Sequence, residues 1–336
     1  MSSSKSNKNK NLFTLLPRKR AEALEHIRKA EKALKTSLLK WTPDYDSAAD
    51  EYSRAATAFK VAKEPKEALN ALDRACECYK EIRSLYQAAK MLELSVLICR
   101  DLGQTDSITK LAERGSHLYR LHGSPESASQ LLEKSAKILE DHNEFDEALA
   151  LYEKAAETVI VEDRPKIAAE YMTKVARLKV KTENYSGAVE SCTRTLELFQ
   201  ESSFTNTAGG VVAGAILCHL MMEDGVAAAK FWAQWGGYCD SDIGSTLQRI
   251  LRGYNDEEDA ELVKEGLNSP VIRQLDVEFA LMARKIKVPE GIGAAAEAVA
   301  RINKEKIAKS EASQEEQEKD EGFEHSKEES DEDELC

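Results

Sequence analysis

Small and apolar residues recur along the middle of the chain with a period of twenty residues. In each unit a first residue, alanine in all but one, is followed at four, seven and eleven positions by further apolar or slim residues, with Lys179 as the exception at the last position. These offsets place the four side chains on one side of an α-helix. The first position of successive units is occupied by Ala48, Ala68, Ala88, Ile108, Ala128, Ala148, Ala168 and Ala188. The pattern predicts one amphipathic helix per unit between Asp46 and Phe199.

Helix-breaking residues interrupt this pattern at a fixed phase. They are Pro65, Pro125 and Pro165, with Gly103, Gly123 and Asn143 just before that phase in other units. A single coiled-coil rod does not explain such regular breaks, so two units are expected to form a hairpin of about forty residues, and such hairpins stack in one dimension. The sequence therefore predicts an all-α, tetratricopeptide-like, right-handed solenoid of antiparallel helical hairpins.

The flanking segments are less regular. A first helix is expected from Pro17 to about Lys35, out of phase with the repeat, with Ala21, Leu24, Ile27, Ala30 and Leu34 on one side. After Phe199, helical patterns cover Val211–Met222, Ala227–Trp235, Asp242–Tyr254, a stretch after Asp256, and Val271–Ile286. A solenoid needs a terminal cap, and this set predicts a C-terminal helical bundle. The expected division is 1–16 as a disordered basic extension, 17–202 as the solenoid, 203–288 as the bundle and 289–336 as a flexible acidic tail.

Charge is concentrated at the two ends of the chain. The net charge is −13, and between Glu311 and Glu334 thirteen acids face Lys319 and Lys327, which gives −11 for the tail. The first twenty residues carry six cations and no acid. The body between these ends is close to neutral, so nucleic acid is not an expected partner.

The residues that would carry catalysis or metal binding do not form a recognisable pattern. Phosphate-binding glycine loops, HExxH and CxxC are missing from the sequence, and the six histidines are scattered. The seven cysteines are an odd number and most lie inside helical units, which favours reduced thiols. The sequence has no secretory signal and no apolar run of membrane-spanning length. We expect a cytoplasmic binding platform with no enzymatic activity, metal or cofactor.

Two apolar features lie where polar residues are expected. Leu38, Leu39 and Trp41 occupy the connection before Pro43. Either the leucines end the first helix and Trp41 packs on the next one, or the segment dips into a membrane interface, where Trp and neighbouring lysines are favoured. The second feature is Leu335, which follows four acids at the end of the tail. It is either part of a solvated charged segment or a plug for a pocket on a partner.

The segments 34–49 and 52–60, with the acidic end Asp333-Glu334-Leu335-Cys336, resemble the gamma type of the soluble NSF attachment protein family. The resemblance covers residues 21 to 290 and the extreme C-terminus, whereas the first twenty residues look like an extension. It implies a non-enzymatic adaptor that coats SNARE four-helix bundles of syntaxin-type proteins and recruits the hexameric ATPase NSF. It also implies peripheral, weak association with membranes.

The resemblance assigns roles to particular positions. Leu38, Leu39 and Trp41 correspond to the membrane loop, and Leu335 to the residue that stimulates the ATPase. Lys174 corresponds to a SNARE-facing cation, whereas Gln130 and Glu170 stand where the alpha type has lysines. Glu223 and the acids Asp256, Glu257 and Glu258 correspond to the NSF-facing surface, in which Arg252 departs from the alpha type. The alternative is a tetratricopeptide scaffold that docks short peptides, such as a chaperone cofactor, without SNARE function.

Overall fold

The computed structural model describes residues 3–36, 41–203, 206–255 and 259–288, with side chains described from residue 15 onwards. The described residues form fifteen α-helices and two short 3₁₀ turns, and no strand. The solenoid helices are α1 Ser3–Leu34, α2 Tyr45–Val61, α3 Pro65–Glu81, α4 Leu85–Leu102, α5 Ile108–Leu121, α6 Pro125–Asp141, α7 Phe145–Ile160, α8 Pro165–Lys181 and α9 Tyr185–Glu201. The remaining helices are α10 Ala208–Met221, α11 Gly225–Trp235, α12 Ser241–Asn255, α13 Ala260–Leu267, α14 Pro270–Arg273 and α15 Val277–Ala283.

The twenty-residue period sets both where the helices begin and what they bury. Seven of the eight helices from α2 to α9 begin at residues 45, 65, 85, 125, 145, 165 and 185, and α5 follows a 3₁₀ turn at Thr105–Ser107. All eight residues at the first repeat position are 0% exposed. Each helix from α1 to α9 packs against the next one in the chain. Alanine-sized side chains at these positions allow neighbouring helices to approach closely. The predicted stack of antiparallel helical hairpins is confirmed.

Backbone groups close the turns between these helices. Within three residues of the end of each helix from α2 to α10, one residue adopts a left-handed conformation: Lys63, Arg83, Gly103, Gly123, Asn143, Asp163, Glu183, Ser203 and Glu223. At the end of α3, the N–H of Ser84 donates to the carbonyl of Tyr79 at 2.8 Å, and the N–H of Arg83 donates to Lys80 at 2.9 Å. This pair of bonds is the Schellman motif, and it satisfies helix-end carbonyls without any side chain. Proline then begins α3, α6 and α8, where its missing N–H costs no hydrogen bond.

Helix α1 differs from its prediction in two ways. It begins at Ser3 and so includes residues 3–16, which the sequence led us to expect as a disordered extension. Its buried face also differs, because Ala21 is exposed and Leu24 is 41% exposed, whereas Ala23 and Ala30 are fully buried. Together with the partly buried Ile27 and Leu34, these alanines repeat the offsets of four, seven and eleven found in the later helices. Helix α1 thus packs on α2 through a face with the same spacing of small residues as the later helices. That face begins five residues earlier than the twenty-residue period would place it.

The C-terminal helices surround α10. Eight consecutive residues of α10, Val211–Cys218, are buried, and the helix contacts α9, α11, α12 and α15. The predicted helix Val271–Ile286 is instead two short helices, α14 and α15, separated by Gln274–Asp276. Pro270 begins α14, and Asp276 occupies the N-cap position of α15. Helix α15 folds back onto α8 of the solenoid as well as onto α10.

Candidate interaction surfaces

The described residues contain no group of three or more His, Cys, Asp or Glu side chains that could hold a metal ion. All six described cysteines are free thiols, and five of them are buried. Burial raises the pKa of the partly buried Cys239 thiol to about 11, so it is protonated at neutral pH and a weak nucleophile. None of the described helices is both long and apolar enough to cross a bilayer.

Lys174, the predicted SNARE-facing cation, lies half-buried on α8 and already has a partner. Its ammonium forms an ion pair with the carboxylate of Glu133 on α6. The same ammonium lies 5.4 Å from the ring centre of Tyr171 and 5.9 Å from that of Tyr152. Cations are attracted to aromatic faces at these distances. The positive charge is thus compensated within the protein, and a partner at this point meets a neutralised pair rather than an isolated lysine.

The pair between Lys174 and Glu133 belongs to a ladder of ion pairs that links alternate helices. On the same side of the stack, Lys134 of α6 lies 3.0 Å from Glu93 of α4. Two further pairs link α3 to α5 and α5 to α7, namely Asp73 with Arg114 and Glu113 with Lys154. In each pair the cation follows the acid by 41 residues, which is one hairpin plus one position. Partly exposed pairs of this kind each contribute little to stability, but they leave opposite charges side by side along the surface.

A denser set of charges joins the solenoid to α15. The guanidinium of Arg177 on α8 lies 2.8 Å from Glu140 on α6 and 4.0 Å from Glu278 on α15. Lys181 lies 3.9 Å from the same two carboxylates, and Tyr152 donates to Glu140 at 3.3 Å. Burial acts to raise the pKa of Glu140, but the hydrogen bond and charge of Arg177 prevail and hold that pKa below its usual value. These contacts hold the C-terminal helices on the α8 side of the stack.

A cavity of about 940 Å³ lies between this side of the solenoid and the C-terminal helices. One wall comes from α6 and α8 and includes Lys174 and Arg177. The opposite wall comes from the start of α12 and from the segment 271–279. We name this cavity the junction groove. It includes Glu170, one of the two positions where the sequence departs from the lysines of the alpha type.

Trp41 lies between α1 and α2 and is 87% exposed. Of the two interpretations of the apolar connection, close packing of this side chain on the next helix is therefore wrong. Leu38 and Leu39 lie outside the described residues, so their predicted membrane role stays a prediction.

Glu223 lies at the left-handed turn between α10 and α11. Its carboxylate is 2.5 Å from the ammonium of Lys287. The amide of Asn255, at the end of α12, donates to the carbonyl of Gly225 at 3.0 Å, so the end of α12 adjoins this turn. Asp256, Glu257 and Glu258 lie outside the described residues, as does Leu335. The structure therefore brings Glu223 close to Asn255, the residue that precedes the predicted acidic cluster.

The ion pairs that organise these surfaces have a signal in the sequence, although the repeat pattern of small residues does not reveal them. An acid followed directly by a cation recurs at the same phase of the repeat, in Asp73-Arg74, Glu113-Arg114, Glu133-Lys134 and Glu153-Lys154. That phase would have predicted pairing between alternate helices. The contact of Glu278 with Arg177 has no such signal, because the two residues are about a hundred positions apart in elements of different pattern.

The fold and its surfaces define a helical-repeat scaffold, in which stacked hairpins present extended faces to other molecules. Comparison with known proteins identifies the family. Residues 21–246 match the family model described as soluble NSF attachment protein, SNAP. This match covers more than half of the chain, and the chain belongs to the SNAP family.

Two relatives are of the gamma type. The gamma-soluble NSF attachment protein of Dictyostelium discoideum is 25% identical over 273 residues, which cover 80% of this chain and 84% of that protein. The gamma-soluble NSF attachment protein of Arabidopsis thaliana is 27% identical over 263 residues, which cover 77% of this chain and 89% of that protein.

Solved structures overlap only loosely. Aspartyl phosphate phosphatase F from Bacillus subtilis is 14% identical, covers 73% of this chain and 68% of its own, and has a TM-score of 0.38. The apo form of RapI is 15% identical, covers 76% of this chain and 99% of its own, and has a TM-score of 0.39. Overlaps at this level support no conclusion about the function of this chain.

Proposed function

We propose that this protein is an adaptor that binds SNARE four-helix bundles at membranes and recruits and stimulates the ATPase NSF for their disassembly. The observation that carries the proposal is the family match over residues 21–246, which runs from α1 into α12. The two gamma-type relatives, whose names state attachment to NSF, support it. The adaptor acts on the cytoplasmic side of membranes in vesicle transport, and it needs no catalytic group of its own.

The arrangement of the described surfaces suits such an adaptor. Trp41 lies at the first hairpin, whereas Glu223 lies in the turn after α10, so a whole stack of helices separates the two. We assign the loop of Leu38, Leu39 and Trp41 to the lipid headgroup region, where an indole is favoured. One short loop binds lipid weakly, so it acts together with a SNARE partner anchored in the same membrane.

The opposite end of the stack is assigned to the ATPase. We assign Glu223, Asp256, Glu257 and Glu258 to the contact with NSF, because acidic residues attract basic surfaces of a partner. Leu335, at the tip of the acidic tail, is the group that stimulates hydrolysis. Lys174 faces the SNARE bundle, but its pairing with Glu133 means that long-range attraction of acidic SNARE surfaces is weak at this position.

The test is reconstitution with purified NSF and a SNARE complex, comparing the full chain with a variant that lacks Leu335 and Cys336. We expect the full chain to bring NSF onto immobilised SNARE complexes and to raise its rate of ATP hydrolysis. The truncated chain should bind SNARE complexes equally well but fail to stimulate hydrolysis. If the full chain bound NSF only when SNARE complexes were absent, the proposed recruitment to SNARE complexes would be contradicted. Full stimulation by the truncated chain would contradict the role of Leu335. Capture of a short C-terminal peptide, with no SNARE binding, would support the peptide-docking alternative.

A further inference from the structure

The N-terminal part of α1 extends beyond the stack. Among the described side chains of α1, which start at residue 15, the first buried one is Ala23. Arg20 contacts Glu64, 3.1 Å away, at the turn that ends α2. Since α1 and α2 form an antiparallel pair, the helix from Ser3 to about Lys19 continues past the end of its neighbour. Leu15, within this part, is 41% exposed.

The sequence of this projecting helix is basic and apolar. It carries Lys5, Lys8, Lys10, Arg18, Lys19 and Arg20 and no acid, with Leu12, Phe13, Leu15 and Leu16 between the two groups of cations. At helical spacing, Lys5, Lys8, Leu12, Leu16 and Lys19 fall along one stripe. We name residues 5–20 the basic segment. In this helix, cations precede and follow a short apolar stretch along the chain. Such a helix suits a groove that has an apolar floor and acidic residues along its rims.

The junction groove has that character. Its cations Lys174 and Arg177 are paired with Glu133 and Glu140. Five further acids line the groove and form no ion pair with any described residue. Lys137, which also lines the groove, is a cation that forms no such pair. These acids are Asp141 and Glu170 on the solenoid side and Asp240, Asp242 and Asp276 on the other side. All five are exposed, so the groove presents a net negative rim to solvent.

The floor between these rims is apolar. It includes Leu275, Val271 and Ile243, which are half-buried, and beneath them the buried ring of Phe279. Half-buried aliphatic side chains lose further contact with water when a partner covers them, and this burial of apolar surface favours binding. The groove therefore offers both charge complementarity and apolar area to a helix such as the basic segment.

The basic segment of one molecule is far from its own junction groove. Helix α1 packs on α2 at the beginning of the stack, whereas the groove is lined by residues of α6 to α9 and of elements after α9. We propose that the basic segment of one copy docks into the junction groove of a second copy, joining the molecules head to tail. The contact is heterologous, so it extends to further copies unless its geometry closes a ring. Docking covers the wall that carries Lys174, so a copy whose groove is filled is closed to any other partner that uses this wall.

The first experiment measures binding of a labelled synthetic peptide of residues 3–20 to the full-length protein by fluorescence anisotropy. We expect saturable binding that weakens steeply with salt, since exposed charges are screened beyond about 8 Å at 0.15 M. A control peptide with all six cations replaced by Glu should not bind. Equal binding of the two peptides, or no binding of the basic one, would overturn the proposal.

The location is tested by two matched charge reversals in the full chain. The variant Glu170→Lys with Asp276→Lys changes the groove rim, and Glu190→Lys with Glu265→Lys makes the same change in net charge at exposed sites outside it. We expect about tenfold weaker peptide binding for the groove variant and less than about twofold for the control, because close charge pairs dominate such contacts. A third variant, with the acids of 311–334 replaced by Ser and Gln, tests the tail. Loss of binding only in this variant would assign the peptide to the tail and overturn the proposal.

Sedimentation equilibrium tests the association of whole molecules. We expect concentration-dependent association that is lost in the groove variant and in a chain that lacks residues 1–14, and that is kept in the control variant. A monomer at all accessible concentrations, or association unchanged in the groove variant, would show that the two copies do not join in this way. Circular dichroism melting of each variant identifies any that fails to fold, and the control variant keeps the comparison valid.

Discussion

The guanidinium of Arg177 on α8 lies 2.8 Å from the carboxylate of Glu140 on α6, and the same guanidinium reaches Glu278 of α15 at 4.0 Å. One cation thereby joins two neighbouring hairpins of the solenoid to the C-terminal helices. Glu140 and Glu278 are only 12% and 14% exposed, so these charges are more strongly coupled than those of the exposed ladder. The attachment of α15 to the stack thus depends on electrostatics as well as on apolar packing.

Replacing Glu140 with Gln should destabilise the protein by about 1–3 kcal/mol at pH 7, because it leaves Arg177 partly buried without its main counter-charge. The loss should depend on pH in one direction. The pKa of Glu140 is lowered in the fold, so its contribution is fully present above the ordinary value of 4.5 and is lost as pH falls through the lowered value. Urea unfolding at a series of pH values should therefore show the wild type and the variant converging in acid. Glu190→Gln, an exposed control, should change little; a difference of constant size across the series would contradict the linkage.

The left-handed turns predict stabilising substitutions. Arg83 and Glu183 have φ angles of 57° and 59°, which residues with a Cβ adopt at a cost of about 1 kcal/mol. Changing either one to glycine should raise the free energy of unfolding by about 0.5–1 kcal/mol, less the entropy that glycine adds to the unfolded chain.

The control for these variants is Glu190→Gly, which places a glycine in the interior of α9 and should destabilise by about 1 kcal/mol. Gly123→Ala, at a φ of 82°, should also destabilise. Thermal melting in the same buffer checks all four changes. Destabilisation by both turn glycines would show that the side chains of Arg83 and Glu183 contribute more than the backbone strain costs.

Close helix packing predicts that the small residues do not tolerate enlargement. Ala148 is 0% exposed at the first position of α7, and Ala148→Leu should overpack the contact and cost about 1–3 kcal/mol. Ala128→Leu in α6 should behave in the same way. The exposed Ala233 in α11 provides the matched control, since Ala233→Leu meets solvent. Unchanged melting of both buried variants would count against the close contacts.

The loop before Pro43 predicts a dependence on the membrane. Changing Leu38, Leu39 and Trp41 to Ser should reduce SNARE disassembly on liposomes far more than in detergent. The reason is that the loop can insert into a lipid interface only when liposomes are present. Trp41→Ser alone should lower co-sedimentation with anionic vesicles and leave the melting temperature nearly unchanged, because Trp41 is 87% exposed. Equal loss of activity in detergent and on liposomes would assign the loop to the structure of the first hairpin.

The sequence predicts the solenoid well because its information is local. An alanine at seven of the eight first positions and a turn at each twentieth residue are visible without knowledge of the fold, and all eight first positions prove to be buried. The left-handed turns were recognised only where Gly or Asn occupies them. Lys63, Arg83 and Glu183 are in the same conformation, but their side chains give no sign of it, since the stabilising hydrogen bonds belong to the backbone.

Elements whose structure depends on distant contacts were harder to predict. The face of α1 is chosen by α2, and Ala23 and Ala30 are separated from the next helix by a connection that shifts the phase of the repeat. The division of 270–283 into α14 and α15 follows from docking on α8 and α10, which no local pattern encodes. The candidate site was predicted only through resemblance at Lys174 and Glu223. The pairing of Lys174 with Glu133 and the acidic rim of the junction groove required coordinates.

The spacing of 41 residues between the members of each ladder pair has a consequence for how the chain can change in length. Removing residues 105–144, one complete hairpin, would bring Lys174 to the position of Lys134 opposite Glu93, and Lys154 to the position of Arg114 opposite Asp73. Both remaining acids of the ladder would again meet a base, whereas Arg177 would lose Glu140, which belongs to the removed hairpin. The ladder is therefore modular, whereas the attachment of α15 depends on one particular hairpin, because Arg177 pairs with both Glu140 of α6 and Glu278 of α15.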